Sequence, residues 1–197
     1  MAIFLLLGLW VTASSSCGKN SKVEISAQGS TQLGKTYENE FFSIEYPADW
    51  AYEEEINNMC DTVPAMSKGI NVVVYNQNRQ SRWPIVRVQK SSMFDCFNTP
   101  EEWRDLSTEL KQFDDNYIGT VDEYMLDSLQ FGNLPAAMAG FAFLADDGDA
   151  VVVQKQLVVM VGKEVYYLNN IFDMNDDGTM ESAGDAILKT VRFKHEK

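Results

Sequence analysis

The chain has 197 residues, 45% of them hydrophobic, which is enough for one domain with a real core. Asp and Glu number 29 against 16 Lys and Arg, a net charge of −13, and no basic cluster interrupts the excess, which argues against a nucleic-acid partner. The single histidine, His195, stands beside the C-terminus, which argues against a His-rich metal site and against a Ser-His-Asp triad.

The first stretch, Met1–Ala13, carries an apolar run of about 12 residues, too short for the roughly 20 that span a bilayer. It reads as a signal-peptide core. Ser14, Ser15 and Ser16 lead into Cys17, an arrangement that resembles a bacterial lipoprotein signal. That resemblance implies cleavage before Cys17, which becomes a lipid-bearing N-terminus carrying palmitate or a similar chain. An ordinary secretory signal cleaved among the serines is the competing reading. Residues 1–16 are thus expected to be a signal peptide. Residues 17–36, polar and rich in Gly and Ser, read as a flexible tether with a reach of roughly 25 Å.

With Cys17 lipidated, Cys60 and Cys96 remain. An even pair in an oxidising compartment points to a disulfide, closing a loop of about 37 residues and contributing about 3–4 kcal/mol on the chain-entropy account. Two buried thiols that never meet is the alternative.

Residues 37–197 read as a single domain. Phe42, Ile44 and Tyr46 alternate with polar residues as a half-buried strand that Pro47 stops. Further strands are expected from Trp50, over Ile70–Tyr75 and over Pro84–Lys90. The helix signal is strongest at Thr99. Thr99 as N-cap, Pro100 at N1 and Glu102 at N3 form a capping box. Trp103, Leu106, Leu110 and Phe113 follow as an apolar stripe expected to pack on a sheet.

Tyr117–Phe131 holds one long strand or two short ones, and Ala136–Leu144 another. Val151–Val161 and Glu164–Phe172 form a hairpin turning at Gly162-Lys163. That register sets Val161 against Glu164, Val159 against Tyr166, Leu157 against Leu168 and Val153 against Phe172. Both faces of this hairpin are apolar, so something must cover both, and helices are the natural candidates. A second helix follows near Met180, with Ala183, Ala186, Ile187 and Val191 on one face. The expected fold class is therefore α+β, a central antiparallel sheet with helices on both faces.

Several marks coincide. Phe-x-Ile-x-Tyr-Pro-x-x-Trp stands at Phe42–Trp50, Gly132-Asn133-Leu134-Pro135-Ala136 precedes a strand, and a last helix ends Ala186-Ile187-Leu188-Lys189-Thr190-Val191-Arg192-Phe193. With the element order, the chain resembles the PsbP-like fold family in its bacterial secreted or lipid-anchored branch. The resemblance implies an α/β/α sandwich and a non-enzymatic protein that binds a partner or stabilises an assembly. With the lipid anchor, it implies attachment to a bacterial membrane, as in the outer membrane, on the periplasmic or surface side. The partner expected is an envelope protein whose identity the sequence does not give.

One stretch has metal-like spacing. Asp173, Asn175, Asp177, Thr179 and Glu181 place oxygens at alternate positions, with Gly178 after the third, like the first half of a calcium loop. The twelfth position is Gly184 where a bidentate Glu belongs, so an acidic strand-to-helix turn competes with a calcium-responsive loop. Acidic runs at Glu53-Glu54-Glu55, Asp114-Asp115 and Asp146-Asp147 do not by themselves set two carboxyls across a cleft. No Gly-rich phosphate loop, G-x-S-x-G elbow or CxxC occurs, and no catalytic residue is assigned.

Overall fold

The strands are greasy on both sides, and the computed structural model sets them in two antiparallel sheets with two helices. The structure describes residues 32–57, 69–77, 84–91, 97–145, 148 and 150–194. In order they form β1 (Leu33–Glu38), β2 (Phe42–Pro47), β3 (Trp50–Asn57), β4 (Gly69–Asn76), β5 (Ile85–Ser91), α1 (Pro100–Lys111) and β6 (Tyr117–Thr120). After a 3-10 turn at Asp122–Tyr124 come β7 (Leu126–Phe131), β8 (Leu134–Leu144), β9 (Val151–Val161), β10 (Glu164–Asp173), α2 (Thr179–Leu188) and β11 (Arg192–Phe193). One antiparallel sheet has the order β3-β4-β5-β10-β9-β8-β6, with β7 also paired to β8. A second, three-stranded sheet has the order β1-β2-β11.

The β9–β10 hairpin lies near the centre of the large sheet and has the register expected of it. Val161 opposes Glu164, Leu157 opposes Leu168 and Val153 opposes Phe172. Gly162 has φ +63°, the left-handed backbone that a two-residue hairpin turn requires and glycine adopts without strain.

Successive side chains of a strand point to opposite faces. Leu157 and Val159 of β9, with Tyr166 and Leu168 of β10, pack with Phe42, Ile44 and Tyr46 of β2 and with Ile187 and Leu188 of α2. Val158 and Val165 instead pack with Trp103 of α1. A third cluster joins Phe141 and Phe143 of β8 to Val152, Ile171 and Ile85.

The fold is thus mostly antiparallel sheet with two helices, and it differs from expectation in three places. Leu33–Thr36, read as the end of the tether, belongs to β1, whose Tyr37 is buried against the core. Arg192-Phe193, read as the end of the last helix stretch, forms a strand paired to β2. A small sheet therefore shares with α2 the covering role assigned to helices alone. The reason is that Phe42, Ile44 and Tyr46 need a surface as much as the hairpin does.

The α1 cap forms as read. Thr99 Oγ1 accepts from the Glu102 backbone N–H, and the Glu102 carboxylate accepts from the Thr99 backbone N–H. The apolar stripe does not hold along its length. Trp103 is buried, but Leu110 is 60% and Phe113 84% exposed. The inward line runs instead through Pro100, Trp103, Ser107 and Lys111. Among the described residues no helix is long and apolar enough to cross a membrane.

Candidate functional site

The acidic loop between β10 and α2 is where the sequence pointed, and its oxygens are spent on backbone. Asp173 Oδ1 accepts from the backbone N–H of Asn175 at 2.8 Å and also from its side-chain amide. Asp176 Oδ2 accepts from the N–H groups of Met180 at 2.6 Å and Glu181 at 3.2 Å. Asp177 Oδ1 accepts from the Thr179 N–H at 3.1 Å and from its hydroxyl. The Thr179, Met180 and Glu181 N–H groups are those at the start of α2, which no intrahelical carbonyl reaches. Hydrogen bonds from the Thr179 hydroxyl and N–H hold the Asp177 carboxyl below its ordinary range. Gly178, φ +89°, makes the bend that brings them round. Among the described residues no group of three Asp, Glu, Cys or His side chains is arranged to hold a metal ion.

Glu181 is turned the other way, into the protein. Its Oε1 accepts from Lys155 Nζ at 2.9 Å and from the Tyr124 hydroxyl at 2.9 Å. Lys155 Nζ also donates to Asp185 and lies 5.2 Å from the Tyr124 ring centroid. Burial alone would raise the Glu181 carboxyl. The hydrogen bonds from Lys155 and Tyr124 outweigh it and set it below the ordinary value. Burial, and then the bond to Glu181, push the Tyr124 hydroxyl well up. Asn170 completes the group, donating to the Glu181 carbonyl at 2.8 Å and to Asp185 Oδ1 at 2.9 Å.

Two glycines make this cluster fit. A Cβ at Gly184 would stand 2.0 Å from Asn170 Oδ1, and one at Gly140 would stand 2.7 Å from Tyr124 Cδ2. The glycines let α2 and the 3-10 turn close on the sheet around a cation with two carboxylates. Chemically the arrangement is an ion-paired lock between β9, β10 and α2.

Of the sequence-assigned residues, Asp173, Asn175, Asp177 and Thr179 share the loop, while Glu181 leaves it for Lys155. Cys17, Cys60, Cys96, the signal stretch, Asp146, Asp147, Asp149 and His195 lie outside the described residues. The strand ends that lead to the last acidic turn are neighbours of the β10 exit, since the Met174 N–H donates to the Val151 carbonyl and Leu144 pairs with Val151. Glu53 and Glu54 are separated by strand alternation, one taking the Tyr75 hydroxyl and the other the Tyr37 hydroxyl. Sequence reading missed Lys155, Tyr124, Asn170 and Asp185. The signal was present: a lone Lys in VVVQKQLVVM falls on an apolar face, so some element covering that face must bring it a carboxylate.

A second feature lies at the other end of the large sheet. β6 is a terminal strand of the sheet, and Ile118 on it is 52% exposed. Leu110 on the last turn of α1 and Phe113 just beyond its end precede it in the chain, and Leu126 on β7 is also exposed. Large apolar side chains exposed on or near a terminal strand are the kind of surface that partner proteins cover.

No protein-family model matches the chain, and no curated protein sequence matches it. Solved structures do. The solution structure of cyanobacterial PsbP (CyanoP) from Synechocystis sp. PCC 6803 aligns over 85% of this chain and 96% of its own, at 14% identity and TM-score 0.51. A 1.50 Å crystal structure from Bacteroides thetaiotaomicron VPI-5482 aligns over 84% of this chain at 14% identity and TM-score 0.47, and the chain spans 50% of its length. LpqN, involved in cell envelope biogenesis of Mycobacterium tuberculosis, aligns over 78% of this chain and 83% of its own, at 16% identity and TM-score 0.47. At this identity the likeness to PsbP is one of architecture: the chain has a PsbP-like fold.

Proposed function

We propose that the protein is a lipid-anchored cell-envelope protein acting as a non-enzymatic binding or assembly-stabilising module, with its helices closing the two faces of the large sheet. The observation that carries the binding role is the exposure of three large apolar side chains, Leu110 on the last turn of α1, Phe113 just after it and Ile118 on the terminal strand β6. Exposed apolar side chains at an edge cost solubility unless something uses them. The carboxylates of the acidic loop, Asp176, Asp177 and Glu181, are bound to helix N–H groups or to Lys155. Lipid on Cys17 would hold the module at a membrane and raise its effective concentration near an envelope partner.

The test is a photo-crosslinking amino acid at position 113, introduced in the native host, with position 133 in the exposed hairpin turn as control. A discrete adduct at 113, absent at 133 and lost in Leu110→Glu/Ile118→Glu, supports the reading. Equal labelling at both positions would overturn it. Labelled palmitate that persists in Cys17→Ala would remove the anchor.

A further inference from the structure

On the α1 side of the sheet a line of buried amides runs across two strands and meets Arg87 on a third. Asn169 of β10 is the register partner of Gln156 on β9 and of Arg87 on β5. Gln154, Gln156 and Asn169 are all at least nine-tenths buried. Their hydrogen bonds have a direction. Ser107 Oγ donates to Gln156 Oε1 at 2.7 Å, and Lys111 Nζ to Gln154 Oε1 at 3.3 Å. Gln154 Nε2 and Gln156 Nε2 then both donate to Asn169 Oδ1, at 2.6 and 2.9 Å. The chain of donors ends at Asn169 Nδ2, an amide with two hydrogens and no lone pair to offer.

What comes next in the row is another donor. Arg87 follows Asn169 on the same face, and its buried Nε has no protein acceptor. A guanidinium has five N–H donors and accepts nothing. Lys111 lies close enough to Arg87 for repulsion to count. Burial lowers the Lys111 ammonium first, and Arg87 adds to that against the opposing pull of Asp114. Neither cation makes an ion pair among the described residues, in a chain with 29 acidic residues. Glu53, in the row of Arg87 two strands along, already takes the Tyr75 hydroxyl. The contrast is Lys155 on the opposite face, which has two carboxylates.

We propose that Arg87, Asn169 and Lys111 form a binding site for the oxyanion end, carboxylate or phosphate, of a small ligand. Such a group supplies what the row lacks, several acceptor lone pairs and a negative charge. The planar guanidinium fork suits either chemistry through two parallel N–H···O bonds. Fixed amide donors give direction, and partial burial raises the strength of each bond. The partner-binding reading does not depend on this site, because Leu110, Phe113 and Ile118 are other residues.

The test is solution NMR on the isotope-labelled full-length chain. Inorganic phosphate and acetate are titrated separately at constant ionic strength, with chloride as the balancing salt. The signals read are Arg87 Nε–H and the Asn169 side-chain amide. The expected result is a saturable shift of both with at least one anion, weakened by roughly tenfold or more in Arg87→Gln and in Lys111→Gln. Saturation by phosphate alone assigns a phosphate end, and by acetate alone a carboxylate end. Shifts that stay linear with concentration, that chloride reproduces, or that both variants leave unchanged would overturn the proposal. The wild-type titration decides the matter even if a variant fails to fold.

Discussion

Replacing glycine by alanine inside a helix normally stabilises it by about 1 kcal/mol. At Gly184 the structure reverses the sign. The added Cβ would lie 2.0 Å from Asn170 Oδ1 and 2.3 Å from its Cγ, distances no real contact tolerates. Asn170 is fully buried and holds two hydrogen bonds, to the Glu181 carbonyl and to Asp185, so it has nowhere to retreat. Overpacking costs about 1–3 kcal/mol, and displacing a buried amide from its acceptors costs about 1–3 kcal/mol more. After subtracting the propensity gain, Gly184→Ala is expected to destabilise by about 3 kcal/mol, a fall in Tm of roughly 6–12 °C. Urea unfolding followed by circular dichroism measures it. Asn170→Ala alone loses about 2 kcal/mol. The double variant should be more stable than the sum predicts, because the smaller side chain removes the clash. A Gly184→Ala protein as stable as wild type, or additive effects in the cycle, would refute the reasoning.

Lys155→Met strands Glu181 and Asp185 beside one another. It should cost about 2–3 kcal/mol, toward the low end for a buried pair because each carboxylate keeps 30% of its side-chain exposure. The Glu181 carboxyl is depressed in the folded state, so its contribution is present above its ordinary value of 4.5 and lost as pH falls through the folded pKa. Wild-type and Lys155→Met urea midpoints should therefore converge in acid, and a constant gap down to the acid transition would count against the lock. Thr99→Ala removes the α1 cap and should lower stability by about 1 kcal/mol in the same assay. Asp176→Ala should cost a similar ~1 kcal/mol, since Asp176 satisfies two N–H groups of α2. Because the loop oxygens are already engaged in this way, calcium at millimolar concentration is expected to leave Tm unchanged. A calcium-dependent rise in Tm would show that the loop rearranges around the ion.

Local signals were legible where one residue decides the outcome. Gly162 fixed the hairpin register, and Thr99, Pro100 and Glu102 fixed the α1 start. The second sheet was not legible, because β1 is short and exposed at most positions and only Tyr37 is buried in it. Its pairing with β2 is a local hairpin, but no periodicity in β1 announces it, and the pairing of Arg192-Phe193 with β2 is non-local. Of the acidic loop, the sequence displayed the oxygens but not their acceptor duties, which depend on where α2 begins. The Lys155 cluster draws on three separate elements, β9, β10 and α2, and on the 3-10 turn, so only the face of Lys155 could be read in advance.

The α1 result follows from β9 rather than from α1 itself. Gln154 and Gln156 face α1 and are buried, so the helix must present polar groups there. Ser107 and Lys111 do so, at four-residue spacing, in the line that starts with Pro100 and Trp103. A helix has one inward line, and giving its second half to polar contacts leaves Leu110 and Phe113 outside it. Two polar residues on the α1-facing side of β9 thus account for both features of this side of the molecule: the donor row that ends at Arg87, and the exposure of Leu110 and Phe113. Had positions 154 and 156 been Leu or Val like their neighbours, the stripe Trp103, Leu106, Leu110 and Phe113 would have been the better cover, and neither feature would exist.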